Sequence, residues 1–136
     1  MAKATIKLQQ EEELSQFLLT HSFAVEELGD DVYRVQREDE LPVFVKQTEN
    51  DLYFEVDLGP AQELESLDFY RQLLDLNTEV LPVSFGLDTT NPEDVRLVLV
   101  ESRELGDLSD QELLSVFDAL ELAVDRATVL LESTMK

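Results

Sequence analysis

Two acidic residues on a predicted strand are the first side chains in this sequence that could perform chemistry. In DLYFEVDLG, residues 51–59, apolar residues alternate with Tyr53, Glu55 and Asp57. Side chains of successive strand residues point to opposite faces, so Glu55 and Asp57 share one face, with Cα atoms roughly 6.7 Å apart. This separation suits two carboxylates that transfer protons or bind a metal ion.

Such a carboxylate pair also needs a third ligand or a cleft that shifts a pKa. The neighbouring predicted strands offer Lys46 and Arg96, which would neutralise the two acids instead of activating them. We therefore interpret Glu55 and Asp57 as part of the solvated face of an antiparallel sheet, with charge pairs between strands.

The remaining candidates for chemistry are few. His21 is the only histidine and cysteine is absent, so neither a Ser-His-Asp nor a Cys-His arrangement nor a His-rich metal site gains support. The loop DTTNPEDV, residues 88–95, lacks the ligand spacing of a calcium loop, and the four glycines form no phosphate-binding motif. We predict that the protein is not an enzyme and has no catalytic residue, metal ligand or cofactor.

The charge of the chain restricts its partners. The 136 residues include 10 Lys and Arg against 31 Asp and Glu, which gives a net charge of −21. Such a surface repels nucleic-acid phosphates and anionic lipids and favours cationic partners. The sequence has no apolar run of roughly 20 residues that could span a membrane, and its start lacks the apolar core of a signal peptide. We predict a soluble, cytoplasmic protein that binds neither nucleic acid nor membrane.

The apolar periodicity predicts the element order α–β–β–β–α–β–β–α. A first helix is expected at about residues 10–21, and two short extended pieces are expected within residues 23–39. Two strands follow in LPVFVKQ and DLYFEVDL, and the turn-rich residues 88–94 separate two more in EVLPVSFGL and VRLVLVES.

The second and third helices have recognisable ends. The second helix is expected to begin at Pro60 and to end at Asn77, with an apolar side of Leu64, Leu67, Tyr70, Leu73 and Leu74. The third is the long segment that starts with a capping box of Ser109 and Glu112.

These elements predict a single α+β domain over residues 1–136. Strands in runs joined by short turns favour an antiparallel sheet of five or six strands with helices mainly on one face. The predicted core consists of Phe17, Leu18, Phe54, Val56, Leu67, Leu74, Phe85, Leu97, Leu99, Phe117, Leu120 and Val124.

Two segments carry more apolar residues than one buried face requires. The strand VRLVLV has Val98 and Val100 on its second face, and the last helix has a second apolar edge that includes Val116 and Leu130. We expect these four residues to contact a partner, most simply a second copy in a homodimer. The alternatives are a central strand that long neighbouring side chains shield and a helix that lies on its own sheet.

The element order and the acidic charge resemble the type III secretion chaperone-like fold. The segments LPVFV (41–45), LLDLNTEVLPVSFGL (73–87) and LVLVESRELGDLSDQELLSVFDALE (97–121) also resemble a family of small uncharacterised bacterial proteins often encoded beside phage shock protein A homologues. The chaperone resemblance implies dimerisation and capture of an extended partner polypeptide on apolar patches. The bacterial family brings no catalytic residues.

The sequence therefore predicts a non-enzymatic, chaperone-like adaptor that binds a protein partner. The second resemblance implies a link to a membrane-stress system of the phage shock protein A type. Two alternatives stay open. One is an acidic mimic of a nucleic acid that binds DNA- or RNA-binding proteins. The other is a metal-dependent enzyme that uses acidic residues.

Overall fold

The computed structural model describes residues 11–106 and 108–134 and has the predicted α+β architecture, with a six-stranded antiparallel sheet. The elements are α1 (Glu11–Thr20), β1 (Ala24–Gly29), β2 (Val32–Gln36), β3 (Val43–Gln47), β4 (Asp51–Pro60), a 3-10 turn (Gln62–Leu64), α2 (Leu67–Val80), β5 (Ser84–Asp88), β6 (Arg96–Glu104) and α3 (Asp110–Thr134). The strand order across the sheet is β1-β2-β3-β4-β6-β5, so β1 and β5 are the edge strands.

Four strands lie between α1 and α2, one more than in the predicted element order. The two extended pieces within residues 23–39 form a complete hairpin of β1 and β2, in which Gly29 lies opposite Val32. The residues between them, Asp30 and Asp31, have positive φ angles of 53° and 62°. Two consecutive left-handed residues match the twist of a tight antiparallel hairpin, which is why this short segment pairs so completely.

The first helix covers most of its predicted range; residue 10 lies outside the described residues.

The chain divides into two compact units. The first contains the residues up to Glu55 together with Ser102–Phe117, and the second contains Val56–Glu101 together with the residues from Asp118 onward. The strands β4 and β6 and the helix α3 therefore each contribute residues to both units. That residues 1–136 form a single domain stays a prediction.

The core of the first unit centres on Phe117 at the start of α3. The ring of Phe117 lies 4.7 Å from that of Phe23 and 5.7 Å from that of Phe54, with the latter pair almost perpendicular. Such edge-to-face contacts stabilise aromatic clusters beyond simple burial. The predicted core residues Leu18, Phe54 and Phe117 are buried here, whereas Phe17 is half-buried.

The second unit has its own apolar cluster, in which Ala61, Phe69, Leu73 and Leu97 are buried. The predicted core residues of this unit divide into three groups. Val56, Leu97, Leu99 and Leu120 are buried, Phe85 and Val124 are half-buried, and Leu67 and Leu74 are exposed.

The predictions for α2 were partly wrong. Pro60 ends β4 and does not open the helix, which begins at Leu67 after Ser66. The hydroxyl of Ser66 accepts a hydrogen bond of 3.0 Å from the amide of Phe69 and so caps the first turn. The helix continues past Asn77 to Val80.

The capping box of α3 is confirmed. The amide of Ser109 donates to the Glu112 carboxylate at 2.9 Å, and the amide of Glu112 donates to the Ser109 hydroxyl at 3.1 Å. Each side chain thus satisfies a backbone N–H that the helix leaves free at its N-terminus.

Candidate protein-interaction surface

Helix α2 carries two apolar stripes, and only one of them is buried in the second unit. The buried stripe contains Phe69, Leu73 and Val80, at spacings of four and seven residues. The other stripe contains Leu67, Leu74 and Leu81, which follow one another every seven residues and are 80 %, 69 % and 68 % exposed. Leu67 and Leu74 lie two turns apart on one side of α2, and Leu81 directly follows the last residue of the helix as its C-cap. These three exposed side chains are called here the leucine stripe.

An apolar groove of about 400 Å³ lies beside the leucine stripe, between α2 and the strands β5 and β6. Leu74 belongs to both the stripe and the groove. The other residues that line the groove are Tyr70, Leu73, Asn77, Phe85, Gly86, Leu87 and Leu97. The stripe and the groove together form an apolar surface with a concave part, a shape that accepts side chains of another molecule.

Asn77 fixes the position of β5 against α2 at this groove. Its side-chain oxygen accepts a hydrogen bond of 2.8 Å from the backbone amide of Phe85. The sequence analysis placed Asn77 at the end of the helix, but its position inside the helix directs its side chain to the neighbouring strand.

The rim of the groove remains neutral at Tyr70. A hydrogen bond with the Glu65 carboxylate, with smaller contributions from burial and from the Glu65 charge, raises the pKa of the Tyr70 phenol above its usual value. This hydrogen bond stabilises the protonated phenol, so Tyr70 itself adds no charge to the rim, where the Glu65 carboxylate lies beside it.

A second, more polar cleft of about 370 Å³ lies on the other side of α2, next to α3. Its lining includes Leu130, which was predicted to contact a partner, together with Asp75 and Val129. An ion pair between Glu79 and Arg126 also lines this cleft. The cleft therefore mixes charges with apolar side chains, unlike the apolar groove.

The structure corrects two of the four predicted partner contacts. Val98 and Val116 are only 3 % and 0 % exposed, so the chain itself covers both side chains. Val100 and Leu130 are half-buried, and their contact with a partner stays a prediction.

Val98 lies on a strand in the interior of the sheet. This strand lies between β4 and β5, so neighbours flank both of its long sides. Val98 lies opposite Gly86, and one of its methyl groups is 3.8 Å from where a Cβ on that glycine would lie. Val98 is thus covered on a central strand, as the alternative interpretation expects, whereas Val100 of the same apolar row is half-buried.

The acidic residues of β4 are bound by neighbouring side chains. Both oxygens of Asp57 accept hydrogen bonds of 3.2 Å from Nε of Arg96, and Glu55 accepts one of 3.0 Å from the hydroxyl of Tyr53. Arg96 also donates to Asp94 at 3.2 Å, and these two carboxylates, Asp94 first, raise its pKa above the usual value. These contacts are the charge pairs between strands that the sequence predicted for Asp57 and Arg96.

The other candidates for chemistry take part in local hydrogen bonds. Nδ1 of His21 lies 3.0 Å from the carbonyl oxygen of Phe17, one turn earlier at the end of α1. In the loop at residues 88–95, the Asp88 carboxylate accepts hydrogen bonds from the amide and the hydroxyl of Thr90.

Within residues 11–106 and 108–134, no three acidic or histidine side chains are arranged to hold a metal ion. In the same part of the chain, no helix has the length and apolar character that a membrane span requires.

Sequence reasoning assigned Leu67 and Leu74 of the leucine stripe to the core, although a signal for the correct assignment was present. The residues Phe69, Leu73, Leu76 and Val80 form a complete helical stripe with spacings of four, three and four. Leu67 and Leu74 are then left on another side of the helix, which is the signal that they do not belong to the same buried stripe.

Solved structures define the class of protein to which this fold belongs. YbjN from E. coli superposes with a TM-score of 0.72 at 13 % identity, over 94 % of this chain and 96 % of YbjN. A chain of the heterodimeric ExoU–SpcU complex from the type III secretion system of Pseudomonas aeruginosa gives 0.68 at 23 % identity, over 85 % and 94 %. The Yersinia pestis type III secretion chaperone SycH, solved with a fragment of YscM2, gives 0.57 at 22 % identity, over 86 % and 95 %. The fold is therefore that of type III secretion chaperones.

The sequence identifies the family. The CesT_Tir_1 family profile matches residues 7–135, and the chain belongs to this family of type III secretion chaperones. Among curated proteins, no sequence matches this chain.

Proposed function

We propose that this protein is a non-enzymatic, chaperone-like adaptor that acts in the cytoplasm by binding a protein partner. The observation that carries the proposal is the exposed leucine stripe with its apolar groove, on a chain with a net charge of −21. Large exposed apolar surfaces are uncommon on monomeric proteins and mark sites of association. Membership in a chaperone family supports the same interpretation.

The proposal includes a homodimer in which the leucine stripe is the contact. Exposed apolar side chains on one side of a helix can pack against the same surface of a second copy, and a two-fold axis presents this surface from both chains. The groove beside the stripe then receives apolar side chains of the second copy. This surface replaces the one suggested by Val98 and Val116, which the chain itself covers.

A double substitution tests the dimer. Leu67→Ser with Leu74→Ser removes two highly exposed apolar side chains, so we expect the variant to remain folded and to be a monomer in light scattering at tens of micromolar protein. Leu122→Ser is the matched control because Leu122 is 53 % exposed on α3, outside the stripe. Wild-type protein that stays monomeric at every concentration, or a double variant that dimerises normally, would overturn the homodimer.

The partner of the adaptor is proposed to be a polypeptide. The similar structures include a heterodimeric complex, ExoU–SpcU, and a chaperone, SycH, with a fragment of YscM2. Affinity capture from the native host followed by mass spectrometry identifies the partner of this chain. Because part of the contact is apolar, we expect the captured polypeptide to remain bound at moderate salt.

The same capture tests the alternative, an acidic mimic of a nucleic acid, which the charge of −21 favours. A mimic binds DNA- or RNA-binding proteins and loses them steeply as salt rises.

The link to a phage shock protein A system rests on the sequence resemblance alone. A binding assay with a purified homologue of phage shock protein A tests that link directly.

A further inference from the structure

A small polar pocket, called here the hairpin pocket, lies at the turn of the β1–β2 hairpin in the first unit. It has a volume of about 150 Å³ and is lined by Glu27, Gly29, Asp30, Asp31, Val32 and Tyr33, none of which is basic. Among the described residues, no basic side chain forms an ion pair with Glu27, Asp30 or Asp31. The hairpin pocket therefore holds negative charge that the described part of the chain leaves without a counter-charge.

The hydroxyl of Tyr33 is the second feature of the hairpin pocket. Tyr33 is 1 % exposed, and its hydroxyl has no hydrogen-bond partner among the described residues. Glu27 lies directly opposite Tyr33 in the β1–β2 pair, so the two side chains share one face of the sheet. Burial first, and then the charges of Glu27 and Asp31, raise the pKa of the Tyr33 phenol. The unpartnered hydroxyl therefore lies within electrostatic reach of two carboxylates of the pocket and is directed toward them.

A second buried oxygen without a partner lies next to the hairpin pocket. Within the part of the chain that the structure describes, Oε1 of Gln47 has no hydrogen-bond partner. The amide of Gln47 donates to the carbonyl oxygen of Asp31 at 3.0 Å, so β3 adjoins the hairpin turn at this residue. Gln47 lies two residues after Val45, which is opposite Tyr33, and side chains two residues apart share one face of a strand. Gln47 and Tyr33 are therefore diagonal neighbours on the same face.

The chemistry of these groups selects the ligand. Carboxylate and amide oxygens only accept hydrogen bonds, and a tyrosine hydroxyl can accept one as well, so the ligand must donate hydrogen bonds and carry positive charge. A Ca²⁺ ion takes about six to eight oxygen ligands, and no three acidic or histidine side chains of the described residues are arranged to hold a metal ion. A primary ammonium group donates three hydrogen bonds, which suits these acceptors better.

The size of the hairpin pocket restricts the rest of the ligand. Sites for drug-sized molecules have volumes of about 300–1,000 Å³, at least about twice the volume of this pocket. A cavity of about 150 Å³ accepts a single benzene-sized group. A short alkyl chain that ends in an ammonium group, such as a lysine side chain, is a ligand of this size.

We propose that the hairpin pocket binds a primary alkylammonium group, supplied by a lysine side chain of a polypeptide or by a free alkylamine. The carboxylates of Glu27 and Asp31 and the hydroxyl of Tyr33 accept its three hydrogen bonds. The hydroxyl is closed to water, and the exposed Glu27 side chain admits the ligand by a change of rotamer. This inference goes beyond the proposed function and depends neither on the leucine stripe nor on a homodimer.

Titration of the full chain with n-butylammonium chloride, followed by NMR at constant ionic strength, tests the site. We expect saturable shifts of the backbone amides of residues 27–33, with a dissociation constant on the order of 1 mM. Tetramethylammonium is the matched probe, because it has the same charge but no N–H donor, and it should give no saturable shift there. Equal responses to the two cations, or no saturation with n-butylammonium, would overturn the proposal.

Variants of the acceptors identify the groups that hold the ligand. Tyr33→Phe removes only the hydroxyl and should weaken n-butylammonium binding by roughly fivefold, the loss of one neutral hydrogen bond. Glu27→Gln with Asp31→Asn should weaken it by about tenfold or more, because two charged acceptors are lost. Asn also tolerates the positive φ angle of residue 31.

The matched control is Glu38→Gln with Asp39→Asn, which removes the same charge from two exposed residues beyond the other end of β2. This control should bind n-butylammonium as the wild type does. Pocket variants that bind as tightly as the control would contradict the proposal. If Tyr33→Phe does not fold, the double variant of Glu27 and Asp31 against the control decides the question.

Two further probes separate the sources of the ligand and exclude a metal site. Binding of Nα-acetyl-lysine amide at the same amides would support a lysine side chain of a polypeptide. Binding of n-butylammonium without Nα-acetyl-lysine amide would support a free alkylamine. Calcium chloride that shifts the same amides and displaces n-butylammonium at lower concentration would show a metal site, and the proposal would be wrong.

Discussion

At the scale of single residues, Tyr33 is the clearest example of a polar group that the fold buries without compensation. Its side chain is 1 % exposed, and its hydroxyl has no hydrogen-bond partner among the described residues. Burial raises the pKa of this phenol, and the nearby carboxylates of Glu27 and Asp31 raise it further. The folded protein therefore favours the neutral phenol more strongly than the unfolded chain does.

Tyr33→Phe is expected to leave the free energy of unfolding at pH 7 unchanged or to raise it by up to about 1 kcal/mol, because an unpaired buried hydroxyl is removed. Above the ordinary tyrosine pKa of 10.0, the unfolded chain loses its proton while folded Tyr33 retains it. The wild type should therefore lose stability as the pH rises through this range, and Tyr33→Phe should lose less. Urea unfolding at neutral and alkaline pH measures both effects. A variant that is clearly less stable than the wild type at pH 7 would show that the hydroxyl makes a favourable bond.

At the scale of elements, the long helix α3 shows how one helix separates buried from exposed leucines. Leu120 is 1 % exposed, whereas Leu122, two residues later, is 53 % exposed. Two residues correspond to roughly 200° around a helix, so the two side chains point in nearly opposite directions. The predicted burial of Leu120 is confirmed, and Leu120 and Leu122 give a matched pair of sites for mutation.

Leu120→Ala should lower the free energy of unfolding by about 2–5 kcal/mol, because the substitution leaves a cavity in a packed core. Leu122→Ala, the same change at an exposed site, should alter it by no more than about 0.5 kcal/mol. Denaturant unfolding of the two variants provides the comparison. Equal stabilities of the two variants would mean that the helix is rotated relative to the structure described.

At the scale of the whole molecule, charge opposes association and apolar area drives it. Two chains with a net charge of −21 each repel one another at long range. Salt weakens this repulsion, since the screening length falls to about 8 Å at physiological ionic strength. The apolar part of a contact through the leucine stripe does not weaken on screening.

The dimer is therefore expected to strengthen from low salt to about 0.15 M ionic strength. Sedimentation equilibrium across this range measures the dissociation constant, with Leu67→Ser and Leu74→Ser together as the monomeric control. An interface built from ion pairs would show the reverse trend, and dimerisation that weakens as salt rises would contradict contact through the stripe.

The sequence by itself determined much of the fold, because the period of apolar residues reflects local geometry. Alternation in DLYFEVDL predicted β4, and the capping box with its helical spacing predicted α3 from its first turn. The runs of strands predicted the antiparallel α+β fold. Sequence reasoning was weakest where a connection was short, as in the β1–β2 hairpin and at the ends of α2.

Only the tertiary structure decided which apolar faces are covered. Periodicity shows that Leu67 and Leu74 share one side of a helix, but it does not show whether that side meets the core or solvent. The apolar residues of VRLVLV were compatible with a partner surface until the strand order placed β6 between two neighbours. Likewise, the hydrogen bond from Phe85 to Asn77 depends on how closely β5 returns to α2. Burial is a property of contacts between segments distant in sequence, and local patterns do not contain those contacts.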